Sequence, residues 1–319
     1  MTTTCPGRPP GFDGSVARLG ATEPGIGPAW EDELRVVCPR PDSSSSRLCA
    51  NGDPIEFAFV WPAGELRATC DPAPGAAPGA RLERARAAGE GRLSVRQRAA
   101  VTRLADWAGG AGRYGGWVGS RLTAGQVTRK LYVEIVDAAP WQDWWPTGRL
   151  LWSPGSAVPA SLAVMAGLDE VDGTLEVYFR VPRIHPDTLC ELLSRAGLPP
   201  HRRALTAELA RLTGQAVRGY LPGRDQGLSI VLAPDGHARA LTWYTHAGML
   251  FGPPARARAA YLAAGRRAGW PMETYARLTA ADADQATPDH GLAGVRIDRD
   301  GGLASSITCG LRPPGGSRR

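Results

Sequence analysis

Alternation of apolar and polar side chains with period two limits what this chain can fold into more than any other feature. It recurs in eight segments: Ile55 to Trp61, Glu65 to Cys70, Lys130 to Val136, Leu175 to Val181, Leu228 to Ala233, Ala238 to Tyr244, Gly294 to Asp298 and Leu303 to Leu311. Successive side chains of a strand point to opposite sides, so alternation marks strands whose two faces meet unlike surroundings. The turn sequences WPAGE, APDGH and DRDGG join neighbouring strands into hairpins. Helical stretches are expected over Ala80 to Trp107, His185 to Ala196, Pro254 to Ala268 and Met272 to Leu278. The second has well-marked ends, with Pro186 in its first turn and Gly197 just past its last. The repeating unit is two antiparallel strands followed by one or two helices. The aromatic run WQDWWPTGRLLW, from Trp141 to Trp152, fits neither pattern.

The two strand faces differ in kind. One carries Ile55, Phe57 and Phe59, then Leu131 and Val133, Leu175 and Val177, and Leu228 and Ile230. The other carries Glu56, Arg67, Lys130, Tyr132, Glu134, Glu176, Tyr178, Arg180 and Ser229, with Arg239, Arg296, Ser306 and Thr308 joining. An open sandwich would turn this second face to water. A closed barrel ringed by helices would turn it inward. Helices recurring after the hairpins favour the closed form, an α+β chain with a closed antiparallel β-barrel inside an outer ring of helices. A lumen lined with arginine, lysine, glutamate and tyrosine is a binding site, because buried charges need partners.

The 319 residues contain no long polar linker. One barrel domain is expected over residues 29–311, between a flexible segment over 1–28 and a flexible tail over 312–319. No apolar run reaches the roughly 18 residues of a membrane span, and no signal-peptide pattern opens the chain, so a cytoplasmic protein without a membrane partner is expected. Six cysteines lie scattered without a CxxC pair, which argues against a zinc knuckle or a disulfide scaffold and predicts reduced thiols. The net charge of +6 is spread along the chain rather than bunched, so nucleic acid is not a favoured partner. Of the 37 basic residues, Lys130 is the one lysine. A compact ammonium suits a crowded phosphate differently from a planar guanidinium, which singles Lys130 out.

These residues resemble a known family. GDPIEFAFVWPAGELRATCDP is similar to the opening hairpin of the dimethylallyl-tryptophan-synthase group of ABBA prenyltransferases, in which Gly-x-Pro-x-Glu precedes a strand bearing an arginine. KLYVEI and LEVYFR resemble that family's Lys-x-Tyr strands, and GWPMETYARL with the final hairpin resembles its last helix and strands. The likeness runs in order from Gly52 to Leu311. It implies a barrel of about ten strands with its chemistry in the lumen. The implied activity moves a prenyl group, dimethylallyl or longer, from its diphosphate to an electron-rich ring. The acceptor implied is an indole or tryptophan, free or within a peptide.

Position by position, the resemblance makes Glu56 the carboxylate that accepts the indole N–H and aids proton loss. Arg67 and Lys130 would hold the diphosphate, with Arg239 as a third contact. Tyr132 and Tyr178, with Tyr244 as the alternative to Arg239 by parity, would shield the allyl cation. Two departures stand out. Glu176 occupies a position where the family has a basic residue, so it needs a neutralising arginine such as Arg180 or Arg183, or a role on the acceptor. Ser306 and Thr308 stand where a shielding tyrosine is common, so either the cation is less enclosed or tryptophans such as Trp61 and Trp243, also candidate acceptor contacts, substitute. No cofactor is expected beyond the prenyl diphosphate co-substrate. With no DDxxD cluster present, magnesium is expected to be dispensable and no metal ligands are assigned. The rival readings are a phenol-prenylating enzyme of the same fold and a non-catalytic barrel that binds a small aromatic or isoprenoid ligand.

Overall fold

The structure, a computed structural model, describes residues 19–20, 27–38, 46–49, 52–89, 98–99, 102, 112–123, 126–136, 163–280 and 288–311. The aromatic run from Trp141 to Trp152 and the tail after Leu311 lie outside them. So does most of the stretch before residue 29, although Leu19 within it is buried in the core.

Ten antiparallel strands close on themselves. In chain order they are β1 (Ile55–Trp61), β2 (Glu65–Cys70), β3 (Gly116–Thr123), β4 (Gln126–Glu134), β5 (Ala163–Asp169), β6 (Leu175–Val181), β7 (Gln226–Leu232), β8 (Ala238–His246), β9 (Asp289–Asp298) and β10 (Leu303–Gly310). Each strand pairs with its neighbours in sequence, and β10 returns to β1 through the register Phe57 opposite Cys309 and Phe59 opposite Ile307. Closure removes both sheet edges. The helices are α1 (Gly27–Val37), α2 (Pro78–Gly89), α3 (Pro186–Arg195), α4 (Arg202–Thr213), α5 (Ala247–Phe251), α6 (Pro254–Ala268) and α7 (Glu273–Leu278). The helix expected from Ala80 begins as α2, which runs through Gly89, and most of its remainder falls outside the described residues. Among the described residues, no helix is long and apolar enough to cross a membrane.

The hydrophobic core lies between the barrel wall and the helices. β1 alternates strictly, with Ile55, Phe57, Phe59 and Trp61 buried and the residues between them half-buried. Leu189, Leu192 and Leu193 of α3, and Leu205, Leu209 and Leu212 of α4, bury their faces in the same cluster. Such spacings place apolar side chains on one helical stripe. Two buried ion pairs stand behind the wall. Arg129 donates to both oxygens of Glu33 on α1 at 2.7 Å, and Arg81 of α2 donates to Asp71 at 2.9 Å. Breaking such a pair by removing one partner costs about 3–5 kcal/mol, because the other charge is left buried alone.

Candidate active site

The face that the helices do not cover points into the barrel, and its side chains keep partial solvent access there. Opposed pairs in an antiparallel sheet share a face, so the register places them. Glu56, Thr69, Gly119 and Lys130 lie directly opposite one another across β1 to β4. Arg67 lies opposite Arg121. Tyr178, Ser229, Thr242 and Arg296 form a second row across β6 to β9.

Lys130 and Glu176 form an ion pair at the centre of this arrangement, and Glu176 also accepts a hydrogen bond from the Ser229 hydroxyl. The Lys130 Nζ sits 5.4 Å from the Tyr132 ring centre and 5.8 Å from that of Tyr178. The three tyrosine rings follow one another around the wall, with Tyr132 6.0 Å from Tyr178 and Tyr178 6.3 Å from Tyr244. An aromatic face attracts a cation through its quadrupole, so the two rings beside the ammonium, with Tyr244 next in line, make a cation-tolerant surface. Glycines make room for it. A Cβ on Gly167 would lie 2.5 Å from the Lys130 side chain, and one on Gly227 would run into the Tyr244 ring.

The other charges lie nearby on the same face. Arg67 donates to Glu65 at 2.7 Å, Arg121 pairs with the same carboxylate, and Arg296 pairs with Asp298 at 2.7 Å. Glu56 stands apart from these pairs. Its carboxylate accepts from the Thr308 hydroxyl at 2.7 Å, and Thr308 in turn accepts from the Leu292 N–H at 2.7 Å.

The two carboxylates titrate in opposite directions. Burial pushes Glu56 up to about 7, only partly offset by the Thr308 hydrogen bond. Burial also acts to raise Glu176, but the charge and hydrogen bond of Lys130, the Ser229 hydroxyl and the charge of Arg296 override it and hold the carboxyl at about 2. Glu56 is therefore ready to exchange a proton near neutrality, and Glu176 is a fixed anion. The Tyr178 phenol is driven well above its ordinary range by burial and then by Glu176, so it stays neutral.

Glu56, Arg67, Lys130, Tyr132, Tyr178, Tyr244 and Glu176 thus share the lumen face. Three other expectations need correction. Trp61 shares parity with Phe57 and Phe59 and is packed outside the wall, stacked on Trp270 at 5.5 Å with its indole N–H donating to the Pro271 carbonyl. Trp243 is likewise buried on the outer face and donates to Gln226 at 3.1 Å. Neither reaches the lumen. Arg239 is exposed and pairs with Asp172 at 2.5 Å, because the register shifts between Val231 and Leu232 just opposite it. The neutraliser of Glu176 is Lys130, whereas Arg180 pairs with exposed Asp225 and Arg183 lies over Tyr220. Sequence reasoning passed over Arg121 and Trp117, which β3 turns inward opposite Thr128 and Tyr132. It missed them because GWVGSRLT lacks the clean alternation of the other strands.

No protein-family model matches the sequence, and no curated protein does. Solved structures do match. The 5-dimethylallyltryptophan synthase from Streptomyces coelicolor in complex with DMASPP and Trp superposes with a TM-score of 0.77 at 15% identity, over 98% of each chain. The apo form of prenyltransferase PriB superposes at 0.75 and 16% identity, over 94% of this chain and 96% of that one. The 6-dimethylallyltryptophan synthase from Micromonospora olivasterospora, also with DMASPP and Trp, superposes at 0.74 and 16% identity, over 97% of this chain and all of that one. The chain has the ABBA prenyltransferase fold. In this barrel Glu176 already matches the central lumenal cation, Lys130. Its last strand contributes Thr308, whose hydroxyl is spent on Glu56.

Proposed function

We propose that the chain is an aromatic prenyltransferase that moves a dimethylallyl or longer prenyl group from its diphosphate to an electron-rich ring, most simply an indole. One observation carries this reading: an ammonium and three tyrosine rings converge on one part of the lumen, while a carboxylate titrating near neutrality faces the same lumen from β1. The first group suits a departing diphosphate and an allylic cation. The second suits an acceptor that must lose a proton. The solved relatives bound to DMASPP and Trp support the choice of donor and ring.

In this reading the prenyl C–O bond breaks and its electron pair leaves with the diphosphate, whose growing charge Lys130, Arg67, Arg121 and Arg296 stabilise. Tyr132, Tyr178 and Tyr244 face the cation and keep water from it. A ring carbon of the acceptor supplies the electrons of the new C–C bond, and the proton that carbon then sheds passes to Glu56, directly or through a relay. Thr308 orients Glu56 for this. Tryptophan, a tryptophan within a peptide and a phenol are the acceptors to compare. The lumenal cations are assigned the role that a metal would otherwise take. The free cysteines Cys38, Cys49, Cys70 and Cys190 among the described residues suit a reducing compartment such as the cytoplasm.

Incubation with dimethylallyl and geranyl diphosphates against a panel of indoles, phenols and tryptophan-containing peptides, read by mass spectrometry, tests the proposal. It predicts products heavier by one prenyl unit. A second reading, a barrel that binds such ligands without turnover, is favoured by the Lys130 and Glu176 pair alone. Binding of donor and acceptor without any product would establish it instead.

A further inference from the structure

Among the described residues, every cation of the central lumen has a carboxylate: Lys130 has Glu176, Arg67 and Arg121 share Glu65, and Arg296 has Asp298. A diphosphate entering here therefore meets no unmatched cation and competes with these carboxylates for their partners. Glu65 and Asp298 keep 19% and 36% of their side chains exposed and can turn toward water, whereas Glu176 keeps 10%. It is held in place by Ser229 and walled by tyrosines. Released from Lys130, it would be an anion enclosed beside a polyanion, and neutralisation costs less than that arrangement.

We propose that Glu176 is an internal counter-ion which the donor's diphosphate displaces from Lys130, so that donor binding takes up one proton from solvent onto Glu176. The inference rests on the lumen being the donor site. In the exchange the Lys130 N–H groups turn from the Glu176 carboxylate to phosphate oxygens. The carboxylate gains the proton, keeps the hydrogen bond it accepts from Ser229, and gains an O–H that can donate to the diphosphate. Around Glu176 the groups that bear on this are Lys130, Tyr132 and the neighbouring Asp169 from β4 and β5, Tyr178 from its own strand, Ser229 from β7, Tyr244 from β8, Arg296 from β9 and Arg67 from β2. Lys130 dominates the set because it alone is in direct ionic contact. The free carboxyl stays ionised down to about 2, so a bound state in which it is protonated at neutral pH binds donor more weakly as pH rises. The device sets the pH range over which the site loads.

Inorganic pyrophosphate titrated calorimetrically into the full chain and into its Glu176→Gln variant, in buffers of differing ionisation enthalpy, tests this. The variant reports the protons that pyrophosphate itself takes up. Near pH 7.5 the parent is expected to take up about one proton more than the variant, which reads the linkage directly. At pH 8 the variant is expected to bind on the order of tenfold more tightly, a gap that closes as pH falls. Gln can still accept from Lys130 and Ser229, and equal melting cooperativity checks that the variant folds. The parent's own affinity falling with pH beyond the ligand's titration is a reading that needs no variant. Equal proton counts with binding intact would overturn the inference and leave the donor site standing. Weaker binding by the variant would overturn it as well. No pyrophosphate binding to either protein would overturn both the inference and the placement of the donor.

Discussion

Glu56 and Glu176 are the same residue type on the same face of one barrel, and they are set to opposite states. Glu56 on β1 has, among the described residues, a single hydroxyl for a partner and no cation, so burial raises it to about 7. Glu176 on β6 is as enclosed but touches Lys130, which holds it at about 2. Enclosure alone does not assign a role to a carboxylate; the partner decides it. A group that exchanges protons at working pH is a base, and one that cannot is a charge. On the proposed function, Glu56 marks the acceptor side of the lumen and Glu176 with Lys130 its donor side.

The largest effect that could break this division belongs to Glu56→Gln. Losing a general base typically costs 10²-fold or more, so kcat with an indole acceptor should fall by about a hundredfold while pyrophosphate affinity stays unchanged. In the parent, kcat should fall about tenfold per unit as pH drops below about 7, where Glu56 takes up its proton, and level off above it. A flat profile in steady-state assays would assign the proton to another group. Next comes Lys130→Ala, which removes a charge-assisted contact of about 1.5–3 kcal/mol and should weaken donor binding by about ten to a hundredfold. Lys130→Arg should restore only part of it, since a flat guanidinium approaches phosphate oxygens differently. Equal donor affinity in all three proteins would merge the two sides again.

Stability measurements sharpen the same contrast with smaller effects of opposite sign. The folded Glu56 carboxyl titrates above its ordinary value of 4.5, so its contribution is full below that value and is lost as pH rises through about 7. Glu176 titrates below 4.5, so its contribution is present at neutral pH and lost as pH falls toward about 2. At pH 8, Glu56→Gln should therefore stabilise and Glu176→Gln destabilise, each by about 1–3 kcal/mol in urea unfolding. Changes of the same sign would show that the two environments are not distinct.

The inward face of β1, β2, β4 and β6 was legible because each strand alternates cleanly, as IEFAFVW and KLYVE do. Where alternation fails, so did the reading. β5 (AVMAGLD) puts Gly167 where a polar residue would have marked the lumen, because Lys130 and Tyr132 need that space. β3 carries Gly119 beneath Tyr132 for the same reason, and with it went Arg121 and Trp117. Trp61 and Trp243 share parity with Phe59 and Leu241, which already marks them as outward-facing in the sequence. Arg239 was not readable, since the bulge that turns it outward leaves no mark on the local pattern. The pairing of Lys130 with Glu176 reaches across two strand pairs, β4 with β5 and β5 with β6, rather than following any spacing along the chain.

The most direct test is a crystal structure of the chain with a non-hydrolysable dimethylallyl thiolodiphosphate. The account predicts the diphosphate between Lys130, Arg67 and Arg296, the dimethylallyl group against Tyr132, Tyr178 and Tyr244, and Lys130 drawn away from Glu176. An analogue bound outside the barrel, or bound inside with the Lys130 and Glu176 pair intact, would contradict it.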